Sequence, residues 1–189
     1  MSLTKRRGGR PPSRGRAGPG PWAPFALWVV ALGALATAGP ARAQLICGPP
    51  SCSISSPALA FGSAYDPFAG TVLDANTTLT VSCTQVALLV LCSVSYAISL
   101  DPGAAGTYAP RRLSSGPAGL DYNIYADGAR SLVWGDGTAG TTRVGGTITF
   151  PALIGGTRTR NHTAYGRVFA GQPAGAGVYT DTVTMTLAF

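Results

Sequence analysis

Few residues in this chain could do chemistry. It has one histidine, His162, no glutamate, and seven acidic residues that are all aspartate. His162 sits in Arg160-Asn161-His162-Thr163, a polar stretch that reads as a loop and predicts a solvated imidazole. Nucleophilic hydrolysis needs a hydroxyl or thiol beside a base held by a third group. The motifs that announce such sites are absent: there is no Gly-x-Ser-x-Gly elbow, phosphate-binding loop or His-x-x-Glu-His helix. The aspartates are Asp66, Asp74, Asp101, Asp121, Asp127, Asp136 and Asp181. Two of them could in principle form the carboxylate pair of a glycosidase. Most stand beside Gly, Pro or Asn, where Asp caps turns. A calcium loop needs alternating oxygen ligands and a closing Glu; Asp136 is followed by Thr138 and Gly140 instead. The chain is therefore expected to be non-enzymatic, with no catalytic residue, cofactor or metal.

Cysteine is the other reactive side chain. Cys47, Cys52, Cys83 and Cys92 make an even set. No histidine lies near them and their spacings fit no zinc site, so they read as two disulfides, with three pairings open. That implies an oxidising compartment, and the amino end supplies a route to one. Lys5, Arg6, Arg7, Arg10, Arg14 and Arg16 lead into the apolar run Phe25–Ala36, and Ala41-Arg42-Ala43 follows. This is the three-part pattern of a secretory signal peptide, assigned to residues 1–43. The run of about a dozen apolar residues falls short of the ~20 needed to cross a bilayer. Export by the Sec pathway to the periplasm and then the cell surface is expected, with no stable membrane insertion after cleavage. In residues 44–189 seven arginines match the seven aspartates, so that part is formally neutral. The basic surface required for nucleic acid is thus missing.

Residues 44–189 suffice for one domain. Lys and Glu are absent there, while Thr, Val, Ser, Gly and Tyr abound, which is a β composition. Period-two alternation predicts strands at Cys52–Ile54, Leu79–Cys83, Val94–Leu100, Leu120–Ile124, Ser131–Trp134, Gly146–Phe150 and Tyr165–Phe169. The clearest is the last, Val178–Phe189, with Tyr179, Val183, Met185, Leu187 and Phe189 on one face and threonines on the other. Short strands divided by Gly and Pro turns point to an all-β, antiparallel sandwich.

Several segments in order resemble the spore coat protein U domain family, which includes subunits of archaic chaperone–usher pili. They are Cys52-Ser-Ile-Ser, Leu59-Ala-Phe-Gly-Ser-Ala-Tyr-Asp-Pro67, Leu79-Thr-Val-Ser-Cys-Thr84, Ile98-Ser-Leu-Asp-Pro-Gly103 and Leu120-Asp-Tyr-Asn-Ile-Tyr-Ala-Asp127. Val133-Trp-Gly-Asp-Gly137, Tyr165-Gly-Arg, Ala170-Gly-Gln-Pro173 and Gly177-Val-Tyr-Thr-Asp-Thr-Val183 complete the set. The resemblance implies a single immunoglobulin-like sandwich that lacks its last strand. It also implies a structural role completed by donor-strand complementation, a form of β-augmentation. The implied partners are a periplasmic pilus chaperone, an outer-membrane usher and sister pilus subunits. The groove for the donor strand would be lined by Tyr179, Val183, Met185, Leu187 and Phe189, and the chaperone would grip the terminal carboxylate at Phe189. The family's two cysteines match Cys52 and Cys83, which pairs Cys47 with Cys92.

One departure concerns the donor strand that a shaft subunit carries before its first cysteine. Cleavage after Ala43 leaves Gln44-Leu45-Ile46 ahead of Cys47, whereas a strand takes about five or six residues. A terminal or minor pilus or coat subunit is expected. The alternative is a free-standing secreted binding module for carbohydrate or surface adhesion. The exported protein is predicted to begin at Gln44; an intact-mass or amino-terminal sequence starting ten or more residues earlier would restore room for a donor strand.

Overall fold

The computed structural model describes residues 2–7, 47–62, 64–86 and 89–189. The apolar run, the small-residue cleavage site and Gln44-Leu45-Ile46 lie outside the described residues. Nine strands are present among those described: β1 (Ser2–Arg7), β2 (Ser51–Ser55), β3 (Leu73–Gln85), β4 (Cys92–Leu100), β5 (Arg111–Ser115), β6 (Ala118–Tyr125), β7 (Val144–Phe150), β8 (Gly156–Val168) and β9 (Thr182–Ala188). They form two sheets, ordered β1-β9-β4-β7 and β2-β3-β8-β6-β5. Every pairing is antiparallel except β1 on β9, which is parallel. The fold is an all-β sandwich.

Alternation decides which residues face inward. Val94, Tyr96, Ile98 and Leu100 of β4 and Val183, Met185 and Leu187 of β9 are buried, and Leu79, Val81 and Cys83 of β3 meet them from the opposite sheet. The spine of that sheet is the thirteen-residue pair β3–β8, in register from Leu73↔Val168 to Gln85↔Gly156. The first half of β8 is exposed on both faces. It is strand because β3 supplies its ladder, with Thr84–Thr157 and Thr80–Asn161 side-chain hydrogen bonds added across it.

Disulfides join Cys52 to Cys83 and Cys47 to Cys92. The first links register partners of β2 and β3. The second ties the segment before β2 to the start of β4 and so connects the two sheets. Each cross-link restricts the unfolded chain and is worth roughly 2–4 kcal/mol.

Three sequence expectations need correction. Ser131–Trp134 is not a strand; it makes single bridges, Tyr125↔Val133 and Trp134↔Thr142, that fold Trp134 into the core, where its Nε1 donates to the Ile98 carbonyl at 3.0 Å. His162 is not in a loop but in the middle of β8. The last strand starts at Thr182, so Tyr179 precedes it and Phe189, 52% exposed, lies beyond it.

The Tyr165-Gly-Arg segment has a packing reason. Gly166 faces inward on β8, and a Cβ there would stand 2.7 Å from Leu59 Cδ2 and from the Phe61 ring. Leu59-Ala-Phe61, from the β2–β3 connection, thus fills the space that the glycine leaves, and Phe61 meets Tyr122 edge-on at 5.8 Å. Gly166→Val is expected to destabilise the fold by about 1–3 kcal/mol through overpacking, measured as a lowered urea midpoint at unchanged m-value.

Candidate functional site

The face available for function is set by what each edge of β9 meets. Its inner edge pairs with β4 over four residues, from Ala97↔Ala188 to Leu100↔Met185. Its outer edge carries β1, from Ser2↔Thr182 to Arg7↔Leu187. No strand from the described residues between Cys47 and Phe189 pairs there. An uncovered edge is a row of free N–H and C=O groups and a template for another strand. Behind it stand the buried side chains of Val183, Met185 and Leu187. Of the five residues expected to line a groove, these three share the inner face. Tyr179 is half-buried ahead of the strand, with its hydroxyl donating to the Gly175 carbonyl.

At the foot of β9 an apolar cleft of ≈ 490 Å³ opens between Leu59, Phe61, Leu73, Leu113, Val168 and Tyr179. The chain enters β9 along one wall of this cleft. Thr180 first exchanges backbone hydrogen bonds with Ser114 of β5, in the other sheet. It then turns at Asp181 and joins β4.

That turn belongs to a buried polar network which the sequence did not announce. Arg111 is fully buried. Its guanidinium donates to the Asp101 carbonyl through Nε and Nη2, at 3.1 and 2.9 Å. Nη2 also reaches the Trp134 carbonyl at 2.7 Å, and Nη1 reaches Asn123 Oδ1 at 2.9 Å. The Tyr108 ring lies against it, 4.9 Å from centroid to Cζ. Burial pulls its pKa below the ordinary arginine value. Close by, the Tyr122 hydroxyl donates to Asp181 Oδ2 at 2.6 Å. Burial, together with Asp181, pushes that hydroxyl's pKa far up. The recurring segments around Asp101, Tyr122-Asn123, Trp134 and Asp181 therefore meet in one place. One signal could have found Arg111: it alternates with Leu113, which puts both on the same face of a short strand.

The aspartates have structural work. Asp66, Asp101, Asp127 and Asp136 cap turns through backbone amides, including those of Phe68, Gly103, Leu132 and Thr138. Asp74 and Asp121 are strand residues rather than turn caps. Asp74 is gripped by both Arg167 nitrogens at 2.7 and 2.8 Å, and this hydrogen bonding holds its carboxyl below the usual range. Asp121 faces Arg112 at the surface. Among the described residues no three His, Cys, Asp or Glu side chains gather to hold a metal.

His162 is half-buried and its Nε2 lies 2.8 Å from the Tyr96 hydroxyl, across from the other sheet. Burial, and then the charge of Arg160, lower its pKa from 6.5. Its folded-state pKa is below the unfolded one, so the unfolded chain binds this proton more readily. The stability it contributes is present above pH 6.5 and is lost as pH falls through the folded value. Urea midpoints are expected to fall as pH drops below 6.5 in the native protein, and this fall should shrink in His162→Gln.

A different feature marks the opposite pole. The β3–β4 and β7–β8 connections leave the sandwich side by side, since Gln85 pairs with Gly156 and Cys92 with Phe150. They expose Val86, Leu89 and Leu91, and Leu153 and Ile154. Neither connection contains a charged residue.

Comparison with known proteins places these features in context. The family model for the Spore Coat Protein U domain matches residues 43–186. No curated protein matches the chain. A solved structure that it resembles is the CsuC–CsuE chaperone–tip adhesion subunit pre-assembly complex from the archaic chaperone-usher Csu pili of Acinetobacter baumannii. The identity is 21% and the TM-score 0.49, over 75% of this chain and 40% of that one.

Proposed function

The chain belongs to the Spore Coat Protein U domain family, and on that premise we propose that it is an exported structural subunit of a chaperone–usher type pilus or surface coat, assembled by donor-strand complementation. The observation that carries this reading is the outer edge of β9, which the described residues between Cys47 and Phe189 leave without a strand while presenting Val183, Met185 and Leu187 behind it. A donor strand would satisfy the edge's backbone groups and cover the core beside it. Each apolar side chain that it buries contributes about 1.5–3 kcal/mol. A periplasmic chaperone would supply the strand first and a sister subunit later, after passage through an outer-membrane usher. Phe189, exposed beyond β9, remains within reach of the chaperone.

Two disulfides suit an exported protein. Removal of residues 1–43 would take β1 away and free the edge. It would also leave too little chain before Cys47 to serve as a donor, which supports a terminal or minor position. A second reading, a free-standing secreted module for surface adhesion, is favoured by the uncharged apolar pole at Val86, Leu89, Leu91, Leu153 and Ile154.

Residues 44–189 alone are expected to self-associate and to be cut by protease. Appending an alternating apolar strand after Phe189 through a short Gly/Ser linker should give a monomeric, protease-resistant protein. A protease-resistant monomer without any added strand would overturn the subunit reading and leave the free-standing module.

A further inference from the structure

β9 has an unusual attachment for a strand with an open side. Its backbone ladder to β4 covers only Met185–Ala188. The next pair in the antiparallel series would be Asp101 with Thr184. Half of that pair is ordinary: the Asp101 N–H donates to the Thr184 carbonyl at 3.0 Å. The other half is substituted. The Asp101 carbonyl accepts twice from Arg111, so the Thr184 N–H donates to Asp101 Oδ1 instead, at 3.0 Å. The carboxylate thus stands in for a strand carbonyl and extends the ladder by one step.

Asp181 does the same at the strand's start. Its Oδ1 accepts from its neighbour Thr182 N–H at 2.8 Å and from Ala104 N–H at 3.0 Å. Its Oδ2 is fixed by the Tyr122 hydroxyl. A Cβ at Gly103 would stand 2.3 Å from that same Oδ2, and Gly103 has a φ of 71°, in the region that favours glycine. The Asp-Pro-Gly turn is therefore shaped around the Asp181 carboxylate. These contacts are made by the β4–β5 connection, β5, β6, the lead into β9 and β9 itself.

We propose that Asp101 and Asp181 are the positioning residues of the acceptor strand: they set the register of β9 on β4 and hold its front half extended while its outer edge awaits a partner. Side-chain period is two, so any slip that keeps the core faces aligned moves β9 by two residues. The ladder of four residues offers little resistance to such a slip, and the two carboxylates select one register. The idea rests on the reading of β9 as an acceptor, but its test needs no incoming strand.

Register can be read from disulfide formation between cysteines introduced in the full-length chain. Ala97→Cys with Ala188→Cys reports the native pairing. Ala97→Cys with Thr186→Cys, and Ser99→Cys with Ala188→Cys, report slips of two residues, because diagonal neighbours sit farther apart than directly opposed ones. The background variants are Asp101→Ala, Asp101→Asn, which keeps the accepting oxygen, and Tyr122→Phe, which frees Asp181. Asp136→Ala, at an exposed turn, is the control. With Asp101→Ala and Tyr122→Phe the slipped pairs should cross-link several-fold more than in the native background. Amides of Thr182–Thr184 should exchange at least ten-fold faster, while those of β7 stay protected. Asp101→Asn should behave like the native protein. If Asp101→Ala does not fold, Tyr122→Phe carries the test. Native-only cross-linking with unchanged β9 exchange in these variants would overturn the proposal, and so would an even loss of protection across β4, β7 and β9. Whether a donor strand then docks is decided separately, by the appended-strand experiment.

Discussion

A single buried guanidinium organises the approach of the chain to its last strand. Arg111 is surrounded by acceptor groups from three separate segments, the Asp101 carbonyl of the β4–β5 connection, the Asn123 side chain of β6 and the Trp134 carbonyl of the β6–β7 connection. A buried charge is tolerable only when its donors are satisfied, so these segments must converge for the core to close. Their convergence brings the Asp-Pro-Gly turn under the start of β9 and withdraws one backbone carbonyl from the ladder. The register of the last strand follows from that withdrawal. Apolar packing behind Val183 and Met185 could not select it alone, because side chains of similar size repeat every second residue.

The two sheets manage their edges differently. β2 is short and cross-linked to its neighbour by Cys52–Cys83, and β5 is five residues long. Both are ways of keeping an edge unattractive to other chains. β9 has neither device. In the full-length chain it is occupied by Ser2–Arg7, whose one apolar residue is Leu3. The pairing of this segment with β9 is a backbone ladder. An incoming strand with apolar residues at alternate positions would make the same backbone bonds and add side-chain burial.

Much of this architecture was legible in the residues. β2, β4, β7 and the body of β9 follow from period two because each has one buried face, β6 alternates in sequence but is buried on both faces in its second half, and the Asp101, Asp127 and Asp136 turns follow from local capping. What escaped notice has a common cause. β5 was hidden because a buried arginine breaks the apolar pattern that its strand would otherwise show. The stretch Arg160–Thr163 reads as a loop because its strand character comes from pairing with β3 rather than from burial. Ser131–Trp134 alternates but is too short to ladder, and it serves to deliver Trp134. For the candidate site, the buried face of β9 was visible in Val183, Met185 and Leu187. The groups that place the strand were not, because Asp101 and Asp181 look locally like turn residues and Arg111 like a surface charge.

The pairing of Ser2–Arg7 with β9 also changes what stability means for this chain. While the occupant is part of the same polypeptide, its effective concentration is fixed by the tether and is indifferent to dilution. Once the occupant is a separate molecule, the apparent stability rises with the logarithm of its concentration divided by its dissociation constant. The same domain then has no single melting temperature, only one for each concentration of partner. Under the proposed subunit role, severing the connection to Ser2–Arg7 would convert a folding equilibrium into an assembly equilibrium.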